Sequence, residues 1–394
     1  MGKSVLVFLT NMHAVAKNSL LKNIIELKSG PYLAAGGHQF RSLWTRDFCF
    51  SVDSLIEIGR IDVAINHLNL LLKHRRATDG LVARVFDNIQ PRARVVANCM
   101  FPQQVTQIMS KTLVKPLGDR LRPEYVDEHK TEAIDSNLLA ILAAFKILRT
   151  TRDQKWFDAI QPDLEHLYQY YQRRRRGTHG PILQTPFSDW QDSRERSGYT
   201  LYTNILLYRV LKEARELAVL KVTALEPENF RAQTAAEFYW PELKLWRGRL
   251  TTDSKITDEV GLDYHLFGLE SGFFGNESNE LYQNIKNSEL WLKSQNQLPG
   301  FVTFQKFSAN QKSFAVRFAG LSRYHEDLYW SWLIKLAAKV AKQYGDVDES
   351  ARILSALHKL YERDQYVFEI YDPKNMMPFR ARFYESEYPF SWGC

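Results

Sequence analysis

The chain has 394 residues, 45% hydrophobic and 13% aromatic, with 52 Lys and Arg against 45 Asp and Glu, a formal net charge of +7. That supplies a sizeable core for one large domain or two to three average ones, and the basic excess is too mild on this length to announce a nucleic-acid surface. Three cysteines, Cys49, Cys99 and Cys394, without a Cys-x-x-Cys pair indicate neither a disulfide framework nor a zinc site and fit a reducing, cytoplasmic setting.

The elements read as helix after helix. The apolar run at residues 5–9 is shorter than a signal-peptide core and reads as the start of the fold. Val15, Leu20, Leu21, Ile24 and Ile25 recur at the helical period, predicting a helix over 12–27. A Gly/Pro loop fills 29–37. A second helix opens at Gln39 and runs to about Ile58, where Gly59 stops it, and a third covers 61–72. Residues 79–102 are polar and irregular, with a strand pair at 82–86 and 94–96. Helices follow at 132–148, 156–171 and 202–217. The stretch 220–307 is less regular, with helices at 230–238 and 281–292; 325–344 and 349–361 are again periodic; 364–394 is aromatic and not helical. The run from Arg173 to Arg176 reads as a solvated helix end, since no nucleic-acid-binding motif accompanies it. No run is long enough to span a membrane. Without strand–helix alternation or a glycine-rich phosphate loop, a nucleotide-binding α/β fold is excluded. Helical hairpins without a sequence repeat fit a closed toroid or an irregular bundle, in one domain over 1–394.

Four short stretches carry chemistry. In Leu43-Trp44-Thr45-Arg46-Asp47, a guanidinium fork and a carboxylate beside an indole can clamp a polyhydroxylated ring; the alternative is an ion pair capping a helix. Asp135-Ser136-Asn137 opens an apolar helix, as a ligand contact or as an N-cap cluster. The loop 187–199 holds Asp189 and Asp192 around Trp190. A carboxylate against an indole loses solvent on one side, which raises its pKa toward that of a usable acid; the alternative is again a cap. In Phe368-Glu369-Ile370-Tyr371-Asp372-Pro373, Glu369 stands among aromatics, and Tyr388-Pro389-Phe390-Ser391-Trp392-Gly393 adds a further aromatic loop. Two separated loop carboxylates among aromatic rings are what glycosidic hydrolysis needs, one to protonate the leaving oxygen and one to activate water or attack.

In this order on a helical chain, the four stretches resemble the six-hairpin glycosidases. Trp44-Thr45-Arg46-Asp47 resembles the Trp-x-Arg-Asp clamp of glucoamylases and their relatives. Trp190-Gln191-Asp192 resembles the Trp-x-Asp general-acid motif of debranching-enzyme glucosidase domains and of trehalase-like and processing-glucosidase-like families. Glu369-Ile370-Tyr371-Asp372-Pro373 resembles their general-base motif, and Phe390-Ser391-Trp392-Gly393 their closing segment. The resemblance implies an all-α fold, an (α/α)6 toroid with long loops and a small β-hairpin insertion. It implies an inverting, exo-acting hydrolase of a short α-glucoside, with Asp192 as general acid and Glu369 as general base. Trp44, Arg46, Asp47, Asp135, Trp190, Tyr371 and Trp392 would hold the substrate. It implies no cofactor and no metal, and an oligosaccharide or glycoside as the partner rather than nucleic acid or membrane. Asp189 competes for the acid role, and Glu385 and Glu387 for the base. The chain stops at Cys394, where the family continues into a twelfth helix, so the ring is either open at its seam or covered there by another segment. A phosphorylase on the same barrel and a non-catalytic sugar-binding barrel are the rival readings. Arg194 and Arg196 read as surface charge or as contacts to an anionic aglycone.

Overall fold

A computed structural model describes residues 2–90, 117–177, 179–220, 225–255, 257–292, 298–303 and 305–394. The helices are α1 (Gly2–Lys22), α2 (Thr45–Glu57), α3 (Ile61–Lys73), α4 (Ser136–Thr151), α5 (Gln154–Gln172), α6 (Leu201–Glu216), α7 (Pro227–Phe238), α8 (Leu262–Ser271), α9 (Ser278–Lys286), α10 (Glu289–Leu292), α11 (Phe314–Phe318), α12 (Ser331–Gln343) and α13 (Val347–Asp364). The heavily buried helices α2, α4, α6, α8 and α12 pack side by side in that order. Helices α3, α5, α7, α9 and α13 pack outside their inner neighbours, and α1 lies on α13. This is the expected two-layered α/α toroid, built on one continuous apolar cluster. Among the described residues, no helix is long and apolar enough to cross a membrane.

The inner helices begin where short strands deliver the chain. Strand β1 (Leu43–Trp44) precedes α2, β2 (Gly198–Thr200) precedes α6 and β3 (Tyr329–Trp330) precedes α12. Strand β1 pairs antiparallel with Val85–Asp87, which pairs with Arg122–Glu124. The expected helix from Gln39 therefore starts only at Thr45, whose hydroxyl bonds the Ala83 carbonyl (2.5 Å). Likewise the helix expected from 325 starts at Ser331, because Trp330 and Tyr329 pair with Ile370 and Tyr371. The helix expected over 12–27 ends at Lys22, and Ile24–Leu27 forms a hairpin with Gly30–Leu33. Asn23 breaks it there, donating from its side chain to the Pro389 carbonyl (2.8 Å) and the Ser391 hydroxyl (2.9 Å). The strand expected at 94–96 lies outside the described residues. Sequence periodicity missed α8 entirely: it is short and buried on every face, so it carries no amphipathic stripe.

The seam between α2 and α12 is covered by the last residues of the chain. Trp392 is sandwiched between Phe50 of α2 (centroids 4.2 Å) and Trp332 of α12 (4.5 Å). Ser54 donates to the Cys394 carbonyl (2.9 Å), and Ser391 donates its N–H to Ala35 (2.9 Å). The aromatic stack is also a floor, with one cavity of about 310 Å³ on one side and another of about 380 Å³ on the other; Trp392 lines both.

Candidate active site

The 310 Å³ cavity lies at the end of the ring where the inner helices begin. Seven of the nine expected site residues line it: Trp44, Arg46, Asp47, Trp190, Asp192, Glu369 and Trp392. The other two stand behind its wall. Asp135 is fully buried and takes both Arg46 Nε (2.9 Å) and Arg46 Nη2 (3.0 Å), with Tyr202 as a third donor (3.2 Å). It sits at the N-cap of α4 but makes no cap bond, because its oxygens are turned to Arg46. Tyr371 is fully buried in the strand that follows Glu369. Neither expected sugar contact therefore lines the cavity: Asp135 holds the Arg46 fork from behind, and Tyr371 pairs through its strand with Tyr329.

The loop 187–199 is set by contacts from distant elements. The Trp190 indole donates to Asp263 at the start of α8 (2.7 Å), and Gln191 donates to the same oxygen (3.1 Å). Asp189 accepts from the Gln191 backbone (2.9 Å) and the Gln184 side chain (2.9 Å), and faces Arg196 at 3.5 Å. Arg196 also meets Glu259 (3.2 Å), as does Arg194 (3.2 Å). Both arginines are buried and ion-paired, which rules out each role expected of them, surface charge and aglycone contact. The run Arg173 to Arg176 is likewise engaged, Arg174 with Glu132 (2.7 Å) and Arg176 with Glu237 (2.5 Å).

Asp192 faces the cavity, and 25% of its side chain is exposed. One of its oxygens, Oδ2, accepts from Arg84 Nη2 (2.7 Å) and from Arg46 Nη1 (3.1 Å). Burial raises its carboxyl, but the two guanidinium groups outweigh burial and hold it below the usual carboxylate range. Glu369 is the opposite case. It accepts from the hydroxyls of Tyr324 and Tyr384, yet burial among aromatics pushes it up to about 8. Asp47, in the first turn of α2, is pushed up to about 7 by burial against the pull of Arg46. His325 accepts or donates at Ser193 Oγ (2.6 Å) and is pushed down to about 3 by burial, hence neutral.

The competing carboxylates have other employment. Asp189 lies in the ion-pair network, Glu385 pairs with Arg380 (2.7 Å), and Glu387 is fully buried. Glu387 accepts from the backbone N–H groups of His38 (2.5 Å), Gln39 (2.6 Å) and Phe40 (3.2 Å). A Cβ at Gly36 would collide with that carboxylate, so glycine is required there for the loop to close over it. Sequence reasoning missed Arg84, Tyr324, Trp330 and Tyr384, all of which line the cavity. Only the aromatic density of 364–394 hinted at Tyr384; Arg84 lies in the strand expected at 82–86, where no motif pointed to a site.

No family model matches the chain, and no curated protein matches it. Solved structures do match. The GH63 mannosylglycerate hydrolase from Thermus thermophilus, in complex with Tris and D-glycerate, is 13% identical with a TM-score of 0.67, over 97% of this chain and 98% of that one. A rhamnosidase from Klebsiella oxytoca with rhamnose bound is 15% identical with a TM-score of 0.62, over 98% of this chain and 62% of that one. A glycosidase variant in complex with glucose is 12% identical with a TM-score of 0.64, over 100% of this chain and 96% of that one. At these identities the likeness bears on architecture, and on that ground the chain shares the (α/α)6 toroid fold of these structures.

Proposed function

We propose that residues 1–394 form a single catalytic barrel that hydrolyses a short glycoside from its end with inversion at the anomeric carbon. The observation that carries this is the meeting of Asp192 and Glu369 in one aromatic-walled cavity with Arg46 and Asp47. The hydrolase, rhamnosidase and glycosidase names of the structural neighbours support the same class of reaction. Trp392, stacked between Phe50 and Trp332, closes the cavity floor, which suits release of a terminal sugar. An α-glucoside remains the proposed substrate, with mannosides and rhamnosides the next to try. A location in a reducing compartment agrees with the buried, free Cys49 and Cys394.

The chemistry balances on two carboxyls. Asp192 gives its proton to the glycosidic oxygen as the C1–O bond breaks. Glu369 takes a proton from the water whose oxygen bonds to C1 from the opposite side. Arg46, held by Asp135, and Asp47 grip hydroxyls of the cleaved sugar, and Trp44 and Trp190 wall it. As the side chains stand, the one available proton rests on Glu369 rather than Asp192. Turnover on this assignment runs through the less populated proton arrangement. The same observation favours a second reading with the roles exchanged, Glu369 as acid and Asp192 as base. Both give a bell-shaped pH profile whose alkaline limb lies near about 8.

Glycosyl fluorides separate the two readings, because fluoride leaves without a proton. An acid-deficient variant keeps fluoride hydrolysis and a base-deficient one loses it. Asp192→Ala should retain activity on a glucosyl, mannosyl or rhamnosyl fluoride while losing it on the matching disaccharide or alkyl glycoside; Glu369→Ala should lose both. The reverse result exchanges the roles. No turnover by the wild type on any glycoside of the panel would sink the hydrolase reading, and turnover only with added phosphate would move it to a phosphorylase.

A further inference from the structure

Two arginines meet the same oxygen of Asp192, and they are not equivalent. Arg46 is shared: Nε and Nη2 lie bidentate on buried Asp135, and Nη1 reaches Asp192. Among the described residues, Arg84 has one close acidic partner, Asp192 itself at 2.7 Å. Its second acidic neighbour, Asp127, is 3.9 Å away and already accepts from the backbone N–H groups of His129 (2.8 Å) and Thr131 (2.9 Å). The Arg84 guanidinium lies over the Trp44 ring (5.4 Å to the centroid) with 16% of its side chain exposed, on the cavity wall. Its backbone is pinned on both sides, by its N–H to Glu124 (2.7 Å) and its carbonyl to Thr45 (3.0 Å). Any reorientation of Arg84 therefore has to come from its side chain, about the pinned backbone.

We propose that Arg84 recognises a carboxylate on the leaving group of the substrate, and that it turns from Asp192 to that carboxylate when the substrate binds. This deepens, and rests on, the glycoside-hydrolase reading above. A leaving group attached to the oxygen that Asp192 must protonate necessarily lies beside Asp192, within reach of the cation now bound there. Exchange of one carboxylate for another on the same fork keeps Arg84 paired, so the swing costs little. It also relieves Asp192 of one of its two cations and lets it hold the proton it must donate. The other charged or titratable groups described around Asp192 are Arg46 and Asp47 from α2, His325 and Tyr324 from the turn before β3, and Asp127 beyond Arg84. Neither other basic group among them is placed for this exchange: Arg46 is held bidentate by the buried Asp135, and His325 is neutral.

The test uses pairs of 4-carboxyphenyl and 4-carbamoylphenyl glycosides of glucose, mannose and rhamnose, equal in size and different in charge. Binding is measured first, by calorimetry on the Glu369→Gln protein, which needs no turnover. The carboxylate should bind about 10- to 100-fold more tightly than the amide, as one charge-assisted hydrogen-bond pair implies. Adding Arg84→Gln should erase the preference, and Arg84→Lys should keep part of it, which guards against a simple folding defect. In turnover, Arg84→Gln should lower kcat/KM for the carboxylate more than for the amide, so that the ratio between them disappears. The acid limb of kcat should lie at higher pH for the carboxylate in the wild type only. Equal binding of the pair, no binding of either, or an equal loss on both in Arg84→Gln overturns the proposal. An Arg84-dependent binding preference without hydrolysis of any glycoside would leave it standing and remove the hydrolase reading instead.

Discussion

Asp189 and Asp192 stand on one loop, on either side of Trp190, and the fold sends them in opposite directions. Asp189 is 1% exposed and meets Arg196, Gln184 and the loop's own backbone. Asp192 is 25% exposed, faces the cavity and is met by two arginines from elsewhere in the chain. The first carboxylate builds the loop and the second uses it. A carboxylate near a tryptophan is therefore an ambiguous signal, and what separates the two is which cations reach each one and whether solvent does.

The sharpest way to break this comparison is to remove each charge while keeping the shape. Asp192→Asn and Glu369→Gln should each lower kcat by about a thousandfold, on the scale of a lost general acid or base, with little change in unfolding midpoint. Asp189→Asn should do the reverse. It leaves Arg196 buried and short of one counter-charge, costing about 3–5 kcal/mol in urea unfolding. If Asp189→Asn instead abolished activity at native stability, Asp189 would be the acid and the comparison would invert. A smaller effect is expected at Glu387. Glu387→Ala removes the acceptor for three buried backbone N–H groups, costing about 1–3 kcal/mol and loosening the 36–40 loop, seen as faster amide exchange at His38 and Gln39. A further effect is on pH dependence. Glu369 (about 8), Glu387 (about 7) and Asp47 (about 7) are all raised above their ordinary values by burial. The folded state therefore binds protons that the unfolded chain has released. The stability these groups contribute is whole below about pH 4 and is lost as pH rises through 7 to 8. The urea midpoint should fall between pH 5 and 8.5, and Glu369→Gln should flatten that fall.

Much of the architecture was legible in the sequence. The periodicities of 61–72, 132–148, 202–217 and 349–361 correspond to α3, α4, α6 and α13, with ends displaced by a few residues. Boundaries went wrong where a strand pairs just ahead of a helix, at Gln39 and His325, because pairing partners 40 or more residues away leave no local trace. Helix α8 went unread because burial on all faces erases the amphipathic contrast on which such reading depends. The order of the four short motifs was enough to bring Trp44, Arg46, Asp47, Trp190, Asp192, Glu369 and Trp392 to one cavity. It was not enough to separate Asp135 and Tyr371 from the residues that touch that cavity.

By itself, then, the sequence determined the helical period, the succession of hairpins and which residue types could meet at one end of a ring. These follow from local propensity and from the spacing of apolar side chains along each helix. Only the tertiary structure decided which carboxylate faces the cavity, that Asp135 serves Arg46, that Arg84 stands on Asp192, and that Trp392 covers the seam. Those outcomes depend on charges and rings brought together from distant parts of the chain. Burial and Coulomb attraction act through space, and the spacing of residues along the backbone carries no record of either.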